Sequence, residues 1–303
     1  MKILLTGATG FIGSAFARLA VARGHEIAGL VLPAEKVSAV LAESPNFSAI
    51  RGNLQNLPWK DVEAFRPETC VHAAWITTPG VYLESPENFK FLEHSVEFLG
   101  NVRMRGTKHI VALGTCIEYR VTDAALSETH TPIEPTTVYS RCKNELRLKL
   151  EEEARHDPFR LCWARVFYPY GPGEHPSRLC SSILAKLARD ERVVLKTPQS
   201  TKDYIFIEDL AEALLTVTEK RFEGAINLGT GVGVSVREIA RTLSAMLGRQ
   251  HLVEEASATT SDPLGYVVAD ASRIHGLGWK PAHTIKQGLR KLIGVQNTPG
   301  FQG

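Results

Sequence analysis

The chain has 303 residues, enough for one large domain or two unequal ones with a sizeable core. A net charge of +2 without any basic block gives no electrostatic footprint for nucleic acid, and no apolar stretch reaches the length of a membrane span. Five widely spaced cysteines (Cys70, Cys116, Cys142, Cys162 and Cys180) form neither a CxxC nor a Cys/His cluster, so we expect reduced thiols in a cytoplasmic protein and no metal site. The apolar run at the N-terminus is far shorter than the core of a signal peptide.

In chain order, Lys2–Thr6 reads as a buried strand and residues 11–23 as a helix with Ile12, Phe16 and Leu19 on one face. Gly24 and His25 turn the chain into a second strand, Glu26–Val31. A helical segment and the break at Ser44, Pro45 and Asn46 lead to a third, Phe47–Arg51. Residues 69–73 and 109–113 read as the fourth and fifth strands, joined by a helix that starts after Pro86 and runs to about Arg103. A loop rich in Thr, Pro and Glu over 122–137 precedes a long helix over 138–155, and residues 160–167 form a sixth strand. Strands separated by helices imply right-handed crossovers and a parallel sheet covered on both faces.

Beyond residue 167 the strict alternation stops, starting with the Pro- and Gly-rich stretch 168–176. We expect an α/β, doubly wound parallel sheet of the dinucleotide-binding (Rossmann) type over 1–167. Residues 203–230 return to it through a strand at 225–228, and 168–303 mainly build a smaller substrate lobe. Trp279 is expected to anchor that lobe and residues 294–303 to form a loose tail.

Gly7, Gly10 and Gly13 follow the first strand and open the first helix. Glycines there allow a tight turn and close approach of the backbone to a pyrophosphate, and the helix N-terminus that begins with Phe11 and Ile12 presents free N–H groups. The GxxGxxG spacing differs from the GxGxxG of classical dehydrogenases and points to short-chain dehydrogenases of the extended type. An acidic residue at the end of the second strand would bind the adenosine ribose; this chain has Leu30, Val31, Leu32 and Pro33 there, and no carboxylate until Glu35. With Lys36 as a partner for a 2′-phosphate, that charge pattern favours NADP over NAD, although a helical Glu35 could still reach.

Tyr139 and Lys143 are four residues apart on a predicted helix and share a face that Leu146 and Leu150 continue toward the sheet. An ammonium near a phenol, beside an oxidised nicotinamide, is expected to lower the tyrosine pKa from about 10 and let it exchange a proton with a substrate hydroxyl. The third member should be a hydroxyl after the fifth strand, and Thr115 supplies it at the edge where open α/β sheets bind ligands. Trp75 and His72, after the fourth strand, are read either as pocket lining or as packing.

With these residues the chain resembles the extended short-chain dehydrogenase/reductase family, the NAD-dependent epimerase/dehydratase group that modifies nucleotide-activated sugars. The likeness covers nearly the whole chain: residues 6–13, 52–54, 71–74, 114–116, 139–143, 165–172, 202–209, 227–231 and 277–281. It implies that Asn53 and Leu54 contact the adenine, Ala73 and Ala74 the cofactor ribose region, and Phe167 the nicotinamide side, with Tyr139 and Lys143 also touching cofactor. Asn53 stands where relatives usually carry aspartate. A homodimer through helices flanking the sheet would suit the family.

Departures from the family narrow the expected reaction. Its dehydratases follow the catalytic threonine with Asp-Glu, whereas Cys116 and Ile117 follow Thr115 here, so dehydration is not expected. Tyr168 replaces a usual asparagine, Lys202 a usual arginine, and residues 259–263 lack an arginine common in relatives; Arg178 and Lys202 remain the cationic candidates for holding substrate. The resulting expectation is an NADP(H)- or NAD(H)-dependent reductase of a keto group on a nucleotide-activated deoxy sugar. A 4-epimerase holding NAD tightly is the alternative, and a non-catalytic NAD(P)-sensing protein is the alternative from another class.

Overall fold

A computed structural model describes residues 1–258, 260 and 262–296. Its main sheet is assembled from β1 (Lys2–Thr6), β2 (Glu26–Val31), β3 (Phe47–Arg51), β4 (Thr69–His72), β5 (His109–Thr115), β6 (Arg160–Val166) and β10 (Gly224–Leu228). The seven strands run in the order β10-β6-β5-β4-β1-β2-β3, all parallel. Winding proceeds outward in both directions from the junction of β1 and β4, so this junction is the topological switch point at which such sheets take ligands. β5 is buried along its whole length, as a near-continuous apolar run in a doubly covered sheet must be.

The helices pack in two layers. On one face lie α1 (Phe11–Ala22) and, much later in the chain, α7 (Ile207–Glu219), joined by Phe16, Ala20, Leu210 and Leu214 in one core. On the other lie α4 (Glu87–Met104) and α5 (Val138–His156), whose Phe98, Leu99, Leu146 and Leu150 meet Ile110 and Trp163 of the sheet. Two short helices, α2 (Ala39–Ala42) and α3 (Trp59–Phe65), fill the crossovers on either side of β3. α2 has a single turn; residues 32–38 before it are irregular, so the helical segment expected between the second and third strands is mostly loop. Pro33 lacks the N–H a helix would use, and Glu35, Lys36 and Ser38 leave the segment little apolar surface.

The lobe is built from β7 (Tyr168–Tyr170), α6 (Leu179–Ala188), β8 (Val193–Leu195), β9 (Thr201–Phe206), β11 (Gly233–Ser235), α8 (Val236–Leu247), β12 (Val253–Glu255), β13 (Tyr266–Val267), α9 (Ser272–Gly276) and α10 (Ile285–Gln296). β9 pairs with β7, β11 and β13, and β8 with β12. Of the segment 203–230, residues 203–206 therefore lie in the lobe sheet, while α7 and β10 lie with the main sheet. α10 carries the chain through Gly294 to Gln296 in helical form, and the rest of the tail at 297–303 lies outside the described residues. Trp279 is buried with Ile274 and Leu289 in an apolar cluster that also takes in residues of the main sheet. No helix among the described residues is long and apolar enough to cross a membrane.

Candidate active site

The glycine turn sits at the switch point. Gly7 has φ +67°, and a Cβ there would lie 3.0 Å from the Ala74 nitrogen; a Cβ on Gly13 would lie 2.0 Å from the Gly7 carbonyl oxygen. Gly10 begins α1 without a side-chain cap, leaving the first-turn N–H groups, including those of Phe11 and Ile12, aimed out of the turn. A buried chain of hydrogen bonds ties this turn to β4. Thr6 Oγ1 accepts the N–H groups of Ala73 (3.2 Å) and Ala74 (3.1 Å) and lies 2.9 Å from His72 Nδ1, while His72 Nε2 lies 2.9 Å from Ser95 Oγ. With both amides donating to it, Thr6 gives its hydrogen to Nδ1, so the imidazole donates to Ser95 from Nε2. Burial lowers the His72 pKa to about 3, aided by Lys143, and keeps the ring neutral. His72 is thus a structural link behind the turn.

The adenosine end differs from the sequence reading. Glu35 belongs to an irregular loop, yet its Oε2 accepts a hydrogen bond from Thr9 Oγ1 at 2.5 Å, inside the glycine turn. Arg51 Nη1 donates to the carbonyls of Leu32 (3.2 Å) and Glu35 (2.6 Å), bracing that loop. Asn53 Oδ1 accepts the N–H groups of Gln55 and Asn56, which spends its carbonyl on shaping its own turn and leaves only the amide Nδ2 free for a base. Leu54 is half-buried beside it.

Across the crevice, α5 starts at an N-cap, Thr137, whose hydroxyl accepts the Ser140 N–H, so Tyr139 falls in the first turn and Lys143 one turn later. Pairing of Gly114 with Arg165 and of Thr115 with Val166 extends β5 two residues past the expected end, carrying Thr115 to the C-terminal edge of the sheet. There the Thr115 hydroxyl stands close enough to the Tyr139 phenol to act on its ionisation. Tyr82 meets the Tyr139 ring edge-on with centroids 4.9 Å apart, and Tyr139 N–H donates to the Leu83 carbonyl at 2.9 Å, so the loop before α4 closes over the phenol.

Lys143 is turned toward β5. Its Nζ donates to the Leu113 carbonyl at 2.8 Å and lies 3.9 Å from the centre of the Trp75 ring. Burial pulls its pKa down to about 7, opposed by the Glu118 carboxylate. Tyr139, for its part, is pushed above its ordinary value, first by burial and then by Tyr82, Glu118 and Cys116, with only Thr115 acting the other way. Desolvation outweighs the hydroxyl at the phenol, and the ammonium is turned to the strand. Trp75 is the platform under that ammonium, fixed by Nε1–H donation to Asn88 Oδ1 at 2.8 Å.

The expected substrate residues are spread out. Arg178 lies over the Tyr82 ring at 5.4 Å and donates to the Thr77 carbonyl at 3.3 Å, which brings it to the mouth of the Tyr139 site. Lys202 is buried and already engaged, by Asp262 Oδ2 at 2.9 Å and by the Leu264 carbonyl. It stands at the edge of a polar cavity lined by Thr122, Asp123, Gln199, Ser200 and Tyr266. Tyr168 is half-buried, 5.9 Å from the Tyr204 ring, and Phe167 is buried with its N–H donated to Leu228. Among the described residues no three His, Cys, Asp or Glu side chains gather as metal ligands, and all five cysteines are free and buried.

Glu118 and Arg165 were missed in the sequence. Both are buried, and Glu118 Oε2 accepts from Arg165 Nε at 2.9 Å directly behind Thr115. The signal was available: a cation inside a strand read as central requires a buried acid partner.

A doubly wound parallel sheet with a glycine turn at its switch point and a Thr–Tyr–Lys set facing it defines a dinucleotide-dependent protein of the short-chain dehydrogenase type. The sequence model for the NAD dependent epimerase/dehydratase family matches residues 3–229, and the chain belongs to that family, in its extended short-chain dehydrogenase/reductase branch. It is 24% identical to a UDP-glucose 4-epimerase of Corynebacterium glutamicum, over 94% of this chain and 92% of that one. It is also 24% identical to a CDP-abequose synthase of Salmonella typhimurium, over 96% and 97% of the two chains. The UDP-glucose 4-epimerase of Thermus thermophilus, solved in complex with NAD, superposes with a TM-score of 0.82 at 25% identity, covering 97% of this chain and 98% of that one.

Proposed function

We propose that this chain is a dinucleotide-dependent reductase of a keto group on a nucleotide-activated deoxy sugar. The observation that carries the reading is the Thr115 hydroxyl and the Tyr139 phenol brought together at the sheet edge, with the phenol held protonated by its burial. A protonated phenol is the acid that a nascent alkoxide needs. NADH or NADPH, cradled by Gly7, Gly10, Gly13 and the first turn of α1 through Phe11 and Ile12, supplies the hydride when bound. Thr115 and Tyr139 hold the carbonyl oxygen, and Tyr139 delivers the proton to it. Lys143, held by Leu113 and Trp75, would bind the ribose of the cofactor. The crevice wall is completed by Ala73, Ala74 and the Phe167 segment, and Arg178, the cation at the mouth, serves the diphosphate. Lys202 and Tyr168 shape the lobe wall, Lys202 with its charge already balanced by Asp262.

Cys116 and Ile117 support excluding dehydration. Both are buried, and burial pushes the Cys116 thiol up to about 12, so neither exchanges protons with a sugar. On the cofactor, Glu35 supplies beside the glycine turn the carboxylate that Val31 lacks, which favours NAD(H). NADP(H) requires Glu35 to leave Thr9, with Lys36 and Arg51 as the cations near its 2′-phosphate.

The alternative, 4-epimerisation with retained NAD, uses the same residues, and the full-length likeness to UDP-glucose 4-epimerases supports it. The two readings separate on the purified protein. NAD retained through gel filtration, with UDP-glucose interconverted and no reduced cofactor consumed, supports the epimerase and overturns the reductase. In either case Tyr139→Phe is expected to lower kcat by about 10²- to 10⁴-fold, whereas unchanged turnover removes Tyr139 from the chemistry.

A further inference from the structure

The aromatic walls around Tyr139 and Lys143 meet at one buried side chain. Asn88 lies in the first turn of α4 and is fully buried. Its Oδ1 accepts the Trp75 indole N–H at 2.8 Å, and its Nδ2 donates to the carbonyls of Tyr82 (2.7 Å) and Ser85 (2.8 Å). The orientation of the amide follows from these partners, since an indole nitrogen only donates and a carbonyl only accepts. Each side of the amide leads to one member of the reactive pair. The Trp75 ring, 5.7 Å from the Phe91 ring one turn beyond Asn88, lies 3.9 Å from Lys143 Nζ. The Tyr82 ring meets the Tyr139 ring edge-on at 4.9 Å, and the neighbouring Leu83 carbonyl accepts the Tyr139 N–H at 2.9 Å.

Asn88 is not there as a cap: the N-cap of α4 is Pro86, and no side chain caps that helix. Asparagine is a weak helix former, and a buried amide costs free energy unless its partners are all in place. An apolar residue would join the Trp75–Phe91 contact without that risk, so the amide calls for another role. We propose that Asn88 is a positioning residue: its one amide sets the Trp75 ring against the Lys143 ammonium and the Tyr82 ring against the Tyr139 phenol. This rests on the reading of Tyr139 and Lys143 as members of the reaction centre.

A fully satisfied buried network rigidifies what it joins, and losing one member releases the rest. Without the Asn88 carbonyl the indole N–H of Trp75 becomes a buried donor with no partner, and the ring turns away from Lys143 to find one. Without the Asn88 amide hydrogens the loop before α4 loses its ties at Tyr82 and Ser85, and the Tyr82 ring leaves Tyr139. Arg178 moves with it, because its guanidinium lies over the same Tyr82 ring at 5.4 Å.

The test is NMR on protein carrying ¹³C-labelled lysine and tyrosine, the two signals being assigned by their loss in Lys143→Met and Tyr139→Phe. Ring currents from Trp75 and Tyr82 displace the Lys143 and Tyr139 signals, and Trp75→Leu and Tyr82→Leu give the positions without those rings. In Asn88→Leu each signal is expected to move most of the way to its ring-free position. A folded Asn88→Leu protein with either signal at its native position overturns the proposal. Asn88→Asp separates positioning from a general loosening, and serves also if Asn88→Leu does not fold. It keeps the acceptor for Trp75 and lacks the donors to the loop, so the Lys143 signal is expected to stay and the Tyr139 signal to move. Equal movement of both signals, or of neither, overturns the proposal. With any keto sugar that the protein reduces, Asn88→Leu is expected to lower kcat about tenfold or more at near-constant KM, and an unchanged kcat overturns the proposal. The NMR signals need neither substrate nor cofactor, so the expected shifts beside a failed reductase assay fault the functional reading alone.

Discussion

Tyr139 and Lys143 sit one helical turn apart and still meet different surroundings, the first a hydroxyl and an aromatic edge, the second a carbonyl and an indole face. The spacing that brings them to one helix face was legible in the sequence, as was Thr115. The direction of each polar tip was not, because it depends on Trp75, Asn88 and Leu113, which approach from β4, α4 and β5. The depressed Lys143 pKa is also a statement about stability. Between about 7 and the lysine value of 10.5, the unfolded chain holds a proton that the folded chain lacks, so stability from this group rises with pH across that window. Below about 7 the full cost of burying the ammonium is present. Lys143→Met is therefore expected to stabilise the fold by roughly 1–3 kcal/mol at pH 6 and by less at pH 10; thermal unfolding that shows a loss at both pH values contradicts this. Glu35 makes the second prediction at this scale. Glu35→Gln is expected to raise the ratio of NADPH to NADH efficiency about tenfold by removing a carboxylate beside the ribose, and an unchanged ratio places the discrimination elsewhere. The sequence named Glu35 as a carboxylate that could reach from a helix; in the structure an irregular loop brings it onto Thr9.

Among the elements, the strands of the main sheet were the most readable part of the fold. Most are short apolar runs buried on both faces, and β1, β2 and β3 are followed within two residues by Gly or Pro. Boundaries shifted where pairing, not hydrophobicity, decides them. β5 gained Gly114 and Thr115 through β6, and of the segment after Pro33 only Ala39–Ala42 is helical. The lobe was poorly legible because its sheet joins β7, β9, β11 and β13 from segments of two to six residues far apart in the chain, and such pairings leave little local pattern. The junction of β1 and α1 is the element most sensitive to substitution. With its Cβ position 2.0 Å from a backbone oxygen, Gly13→Ala cannot be accommodated by a rotamer change. It is expected to destabilise the protein by about 2 kcal/mol or more and to abolish dinucleotide binding, measured by thermal unfolding and by quenching of tryptophan fluorescence. Native-like binding in that variant would mean that the turn does not cradle phosphates.

For the molecule as a whole, the order of the strands brings Thr6, His72 and Thr115 to one edge, where α5 supplies Tyr139 and Lys143. Family and cofactor class follow from this arrangement and were readable from motifs of the Rossmann half. The substrate was not, since the cations that would declare it are few and Lys202 is neutralised by Asp262 within the lobe. The measurement that bears most directly on the central claim is consumption of NADH and NADPH, followed by absorbance, against a panel of 4-keto-6-deoxy nucleotide sugars, with native protein and Tyr139→Phe side by side. The account predicts oxidation with at least one member of the panel, faster with NADH, and nearly abolished in the variant. Oxidation by neither cofactor with any member, or equal rates in native protein and variant, would contradict it.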